Sequence, residues 1–183
     1  MGKLAVFLAE GFEEIEALTV VDICRRCGLQ ADMVSVTGAE MVKSSHGVSV
    51  QADRQFSEVD FGEYDMLVLP GGMPGTKNLE AHEGLMEQVD AFYHSGKYIA
   101  AICAAPSIFG HKGFLHGRNA CSFPIFESHL KGAQVTEGPV EISDHVITSR
   151  GMGTAIDFGL AIAGIFCGEE KAKAMAETIV YRK

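Results

Sequence analysis

Apolar residues along this chain occur in two spacings. Short unbroken runs at residues 4–9, Met66–Leu69, Tyr98–Ile102 and Val146–Ser149 have the length of strands buried on both faces. Residues 30–36 add a second strand after the first. Between these runs the apolar positions recur at helical intervals. Residues 12–27 predict a helix closed by Gly28, and residues 83–94 predict another with Leu85, Met86, Val89 and Phe92 on one side. Ala155–Cys167 is a nearly all-apolar helix, broken at Gly168 before a last helix over residues 169–181. Less regular pieces fill the gaps: a hairpin or bulge in 41–52 around Ser44-Ser45-His46-Gly47, a punctuated loop at 70–75, and a short helix at 107–110. Short strands are expected at 118–122 and 133–140, with a turn at 143–145.

Strands alternating with helices predict a single α/β domain over residues 1–183, doubly wound about a mostly parallel sheet. Ligands of such folds sit at the carboxyl ends of the strands. That rule collects four distant segments in one place: residues 10–16, the 70–75 loop, Cys103, and residues 150–154.

Composition narrows the classes. With 183 residues, 47% hydrophobic and 21% charged, the chain can bury a full core. A formal charge of −9 makes nucleic acid and anionic membrane poor non-specific partners. The N-terminal apolar run is broken by Glu10, Val6 stands where a myristoylation signal needs Ser or Thr, and no run reaches the roughly 20 apolar residues of a membrane span. A cytoplasmic protein is expected. Its cysteines, 24, 27, 103, 121 and 167, are odd in number and read as reduced thiols. Cys24 and Cys27 lie inside a helical pattern without further ligands at zinc spacing, so no metal is expected there.

The stretch KYIAAICAAP carries the sharpest chemical signal. A buried strand stops at Cys103, and Ala104-Ala105-Pro106 opens a helix, as at a nucleophile elbow. The helix N-terminus would favour the thiolate; a buried structural cysteine is the alternative. Glu16, three residues after Glu13 and followed by Ala17 and Leu18, can turn into the cleft. Desolvated there, it would stay protonated, donate to the Cys103 thiolate and act as general acid/base. The Gly72 N–H, with that of Ala104, could make an oxyanion hole, although a tight turn also accounts for Gly71-Gly72. Neither G-x-G-x-x-G nor a Walker loop is present, so no nucleotide cofactor is indicated.

Taken together, EGFEEIEA, LVLPGGMPG, AAICAAP and TSRGMGTAIDFGLAI resemble the ThiJ/PfpI superfamily in order and spacing, and more closely its DJ-one-like branch. The resemblance covers essentially the whole chain. It implies a flavodoxin-like sandwich, usually a homodimer, with no cofactor and no metal. It identifies Cys103 as the oxidation-sensitive nucleophile, Glu16 as its carboxyl partner, and Gly72 and Ala104 as backbone donors, with Gly71 and Arg150 as accessory positions. Two departures stand out. Some relatives have a histidine before the proline after the elbow helix, where this chain has Phe123; and His46 stands where many carry arginine. In a dimer His46 could supply a proton or positive charge to the partner's site, or be an exposed hairpin residue.

The resemblance implies cofactor-independent chemistry on small reactive dicarbonyls, of glutathione-independent glyoxalase or protein-deglycase type. The alternative is a redox sensor with chaperone-like action, signalled by oxidation of Cys103 to sulfinate. Peptidase or amidase chemistry fits less well: Ala104 stands where peptidase-like members have histidine, and His145 is not followed by the His-x-Glu pattern of amidotransferases.

Overall fold

The computed structural model describes residues 2–181. In chain order, β1 (Lys3–Leu8), α1 (Glu14–Arg26) and β2 (Gln30–Ser35) are followed by a hairpin of β3 (Met41–Lys43) and β4 (Ser49–Gln51), then β5 (Arg54–Gln55). Next come β6 (Met66–Leu69), α2 (Gly75–Ala81), α3 (Glu83–Ser95), β7 (Tyr98–Ile102), α4 (Pro106–His111), β8 (Asn119–Ala120) and β9 (Gln134–Val135). The chain closes with β10 (Val140–Ser143), β11 (Val146–Ser149), α5 (Ala155–Cys167) and α6 (Glu169–Thr178).

The main sheet has seven strands in the order β10-β11-β7-β6-β1-β2-β5. Every pair in it is parallel except β10 with β11. Alternate residues of each strand enter opposite apolar layers. Ala5, Phe7, Leu67, Leu69, Ile99 and Ala101 pack on one side. Leu4, Val6, Leu8, Met66, Val68, Ala100 and Ile102 pack on the other, against Ala17, Val20 and Val21 of α1 and Phe158 and Ile162 of α5. This is the flavodoxin-like, mostly parallel α/β sandwich expected from strands apolar on both faces. No helix among the described residues is long and apolar enough to cross a membrane.

The topology also fixes where chemistry can occur. From β1 the chain moves outward to β2, then returns to β6 on the other side. Strand order therefore reverses between β1 and β6, and the crevice beyond their carboxyl ends is the ligand position of such sheets. Residues 9–13 leave β1 there, residues 70–75 leave β6, and Cys103 leaves neighbouring β7.

Several boundaries differ from the sequence reading. Helix α1 begins at Glu14 rather than Phe12, because Phe12 closes a turn with its N–H on the Ala9 carbonyl (3.0 Å) and buries its ring. Helix α2 was hidden by the Pro-Gly run that precedes it. Residues 133–140 do not form one strand: Gln134–Val135 pairs with β8 in a separate sheet, and Val140–Ser143 joins β11. Ser143 belongs to β10, so the turn is carried by Asp144 (φ 56°) and His145. Edge strand β5 is polar and gave no apolar signal. The last helix ends at Thr178, short of Tyr181.

Candidate active site

Cys103 follows β7 with φ +66°, one of the few non-glycine residues in the left-handed region. For a residue with a Cβ this conformation is held only when its surroundings over-determine it, at a cost on the order of 1–3 kcal/mol. Here both peptide faces are fixed: the Cys103 N–H donates to the Ser149 carbonyl (3.0 Å), and its own carbonyl accepts the Phe123 N–H (2.8 Å). Buried Ala104 and Ala105 leave room for the sharp turn, and Pro106 opens α4. The residue is only partly buried.

Glu16 sits in the first turn of α1 on its inward face and is 1% exposed. Its Oε2 accepts the Gly71 N–H at 2.8 Å. Its Oε1 is buried with no partner other than the Cys103 side chain, which hydrogen-bonds the carboxyl. Burial pushes the Glu16 pKa up to about 7, with the neighbouring Glu13 charge adding to the rise; the Cys103 side chain and the Gly71 N–H oppose it.

The expected depression of the Cys103 pKa is not what this environment produces. Burial and then the adjacent Glu16 carboxylate raise it, while the Ala104 and Gly72 N–H groups pull the other way. Burial is the larger cause and the Glu16 charge adds to it, while α4, only six residues long, opposes them with no more than a weak helix dipole. The two groups titrate as a pair, so charge on one disfavours charge on the other.

The glycines set the spacing. A Cβ on Gly71 would lie 2.7 Å from both Cys103 Cβ and Glu16 Oε2, and 3.1 Å from the Ala104 nitrogen. Gly72, at φ +91°, is pressed against residues 11–13, where a Cβ would meet the Glu13 nitrogen at 2.5 Å. Gly151 was not singled out in the sequence beyond its place in the 150–154 segment. A Cβ there would be 3.4 Å from Phe123 Cδ2, 3.9 Å from Cys103 Sγ and 4.0 Å from Glu16 Oε1. The glycine-rich Arg-Gly-Met-Gly run after β11 was its available signal.

The accessory positions divide. Arg150 adjoins this space in sequence, but its guanidinium is held by Glu127 Oε1 (3.2 Å) and the Glu137 carbonyl (3.5 Å). His46 is exposed at the hairpin tip, with Nδ1 3.3 Å from Glu14 Oε1 and 3.5 Å from Glu13 Oε2. Glu13, Glu14 and His46 are the group among the described residues whose donor atoms all lie within 4.8 Å, as a shared cation would need. His145 lies at the other end of the sheet from Cys103: its carbonyl accepts the Ile99 N–H at the start of β7, and its Nε2 is 3.0 Å from the Tyr93 carbonyl.

Comparison with known proteins agrees with this architecture. The model of the DJ-1/PfpI family matches residues 2–164. Protein DJ-1 homolog B of Arabidopsis thaliana is 34% identical over 98% of this chain but only 42% of its own length, so the chain spans less than half of that relative. A Caenorhabditis elegans protein named glutathione-independent glyoxalase DJR-1.2 is 31% identical, over 95% of this chain and 93% of that protein. The solved structure of oxidized Toxoplasma gondii DJ-1 superposes with a TM-score of 0.95 at 35% identity, covering all of both chains. The chain belongs to the DJ-1/PfpI family.

Proposed function

We propose that this DJ-1/PfpI protein is a cofactor-independent enzyme that converts small α-oxoaldehydes to 2-hydroxy acids, with Cys103 as nucleophile and Glu16 as acid/base. The observation that carries this reading is the buried Glu16 carboxyl, hydrogen-bonded by the side chain of partly buried Cys103 at a strained elbow, with Oε1 held by no other group. A carboxyl with a pKa about 7 can both take and return a proton near neutrality. The glyoxalase name borne by the nematode relative supports the same substrate class.

The steps balance without an external redox partner. Glu16 carboxylate takes the thiol proton as Sγ bonds to the aldehyde carbon. The carbonyl electron pair moves to oxygen, where the Gly72 and Ala104 N–H groups stabilise it. The Glu16 proton then neutralises that oxygen, giving a hemithioacetal. The carboxylate next removes the former aldehyde carbon's hydrogen as a proton and delivers it to the neighbouring carbon, while the hydroxyl proton on the first carbon passes to the neighbouring carbonyl oxygen through the enediol. One carbon is oxidised to a thioester and the other reduced to an alcohol. Water cleaves the C–S bond, releasing the hydroxy acid and restoring the thiol. The net change is addition of one water.

In this reading the protein is a cytoplasmic homodimer, and exposed Ile15 of α1 and Val48 of the hairpin are apolar surface that a partner copy would cover. Protein deglycation would be the same aldehyde chemistry acting on adducts. A second reading, redox sensing in oxidative stress with chaperone-like action, draws on the partly buried Cys103 and the oxidised state of the Toxoplasma relative's structure. The test is conversion of methylglyoxal to lactate without glutathione by wild type, Cys103→Ala and Glu16→Gln. Turnover lost in both variants is expected. No wild-type turnover, with selective oxidation of Cys103 by mild peroxide, would replace catalysis with sensing.

A further inference from the structure

The half-exposed Phe123 ring is the side chain that the proposed chemistry leaves unused, although it stands against the reacting groups. Its Cδ2 lies 3.4 Å from the point where Gly151 would carry a Cβ; Cys103 Sγ is 3.9 Å from that point and Glu16 Oε1 4.0 Å. The ring, the sulfur and the carboxyl oxygen thus border one small space over the Gly151 backbone. Its backbone is anchored beside the elbow, because the Phe123 N–H donates to the Cys103 carbonyl (2.8 Å) and Pro124 follows.

We propose that Phe123, with Gly151 beside it, forms an apolar subsite selecting neutral α-oxoaldehydes whose substituent is apolar and preferably aromatic. This rests on the aldehyde chemistry proposed above and names its substrate class. Once the aldehyde carbon is bonded to Cys103, the Gly72 and Ala104 donors occupy one side and Glu16 another. The remaining substituent lies over Gly151, against the ring.

Three features favour an apolar group there. Phe123 offers a π-face and no hydrogen-bonding atom, so an aromatic substituent gains an offset or edge contact while a polar one loses water without replacement. Ile125 and Met152, in the same two loops, are also exposed, at 73% and 54%. Third, among the described residues of these loops the guanidinium of Arg150 is held by Glu127 and the Glu137 carbonyl, while Glu16 and Glu13 contribute acidic groups. An anionic substituent would face these carboxylates.

The experiment measures kcat/KM for glyoxal, methylglyoxal and phenylglyoxal without glutathione in wild type, Phe123→Ala and Phe123→Leu, with Cys103→Ala as the blank. The phenylglyoxal-to-glyoxal ratio is expected to fall about tenfold in Phe123→Ala and less in Phe123→Leu. A ratio unchanged in Phe123→Ala overturns the subsite. A second measurement does not depend on turnover: the rates at which iodoacetamide and N-benzyliodoacetamide alkylate Cys103, followed by peptide mass. If no dicarbonyl is turned over but wild type prefers the benzyl reagent and Phe123→Ala does not, the subsite stands and the catalytic reading fails. If wild type shows no benzyl preference, the subsite is overturned.

Discussion

Glu16 and Gly71 are joined by a single buried hydrogen bond: the Gly71 N–H donates to Oε2 at 2.8 Å, leaving Oε1 with no partner other than the Cys103 side chain. That asymmetry fixes the carboxyl plane and directs its other oxygen toward the space shared with Cys103 and Gly151. One oxygen is an anchor; the other is available for proton transfer.

Glu16→Gln should retain the Gly71 hydrogen bond through its carbonyl oxygen while losing proton transfer. Turnover of methylglyoxal is expected to fall at least about a hundredfold, within the usual range for a lost general acid/base. In wild type the rate should rise with pH through an apparent pKa near 7, as the carboxylate form accumulates. A pH-rate profile of both proteins checks this, and an unchanged inflection in Glu16→Gln would assign it elsewhere.

The same carboxyl should make stability pH-dependent. Its folded pKa, about 7, lies above the ordinary 4.5. Below 4.5 both states are protonated. Between there and 7 the unfolded chain releases the proton first, so the folded state loses relative stability as pH rises. Glu16→Gln removes this loss. Denaturant melts at pH 4.5 and 7.5 should show the variant gaining on wild type at the higher pH, by on the order of 3 kcal/mol. A difference that does not vary with pH would place the Glu16 pKa near its unfolded value.

Gly72→Ala and Gly151→Ala should fail in different ways. At Gly72 a Cβ meets the backbone of residues 11–13 at 2.5–2.7 Å with φ at +91°, so loss of at least about 2 kcal/mol of stability is expected. At Gly151 the nearest atoms are at 3.4–4.0 Å, ordinary contact, so the fold should tolerate alanine. The methyl group would nevertheless occupy the space above the sulfur. Thermal melts and kcat/KM on the two variants separate the cases: a large Tm loss for Gly72→Ala, and a mainly kinetic loss for Gly151→Ala.

His46→Ala is expected to change turnover by less than about twofold, since the exposed imidazole lies against Glu13 and Glu14 rather than the sulfur of its own chain. A large loss would mean that His46 reaches the cysteine of a second copy. Sedimentation of wild type beside the kinetics tests the homodimer directly.

Much of this was legible because it depends on local pattern. Uninterrupted apolar runs at β1, β6 and β7 required burial on both faces, and a strand ending at Cys103 before Ala-Ala-Pro required an abrupt turn. Glu16, followed by Ala17 and Leu18, was a candidate for an inward-facing carboxyl, and the structure buries it. Strand β5 and helix α2 were not legible: Arg54–Gln55 carries no apolar signal, and a Pro-Gly run hides the helix after it. The fate of residues 133–140 depended on two different partners, β8 and β11, which no local periodicity encodes.

By itself the sequence determined the sheet, and with the family resemblance it pointed to the strand ends where Cys103 and Glu16 meet. Only the tertiary structure decided their electrostatics. A helix start in isolation lowers a thiol pKa, but burial and then the adjacent Glu16 carboxylate outweigh this short helix, so the direction reverses. It also decided that Phe123 and Gly151, 28 positions apart in the chain, border the same few ångströms as Cys103 and Glu16. Distances between segments that leave different strands are set by strand order and packing, which no single stretch of the chain contains.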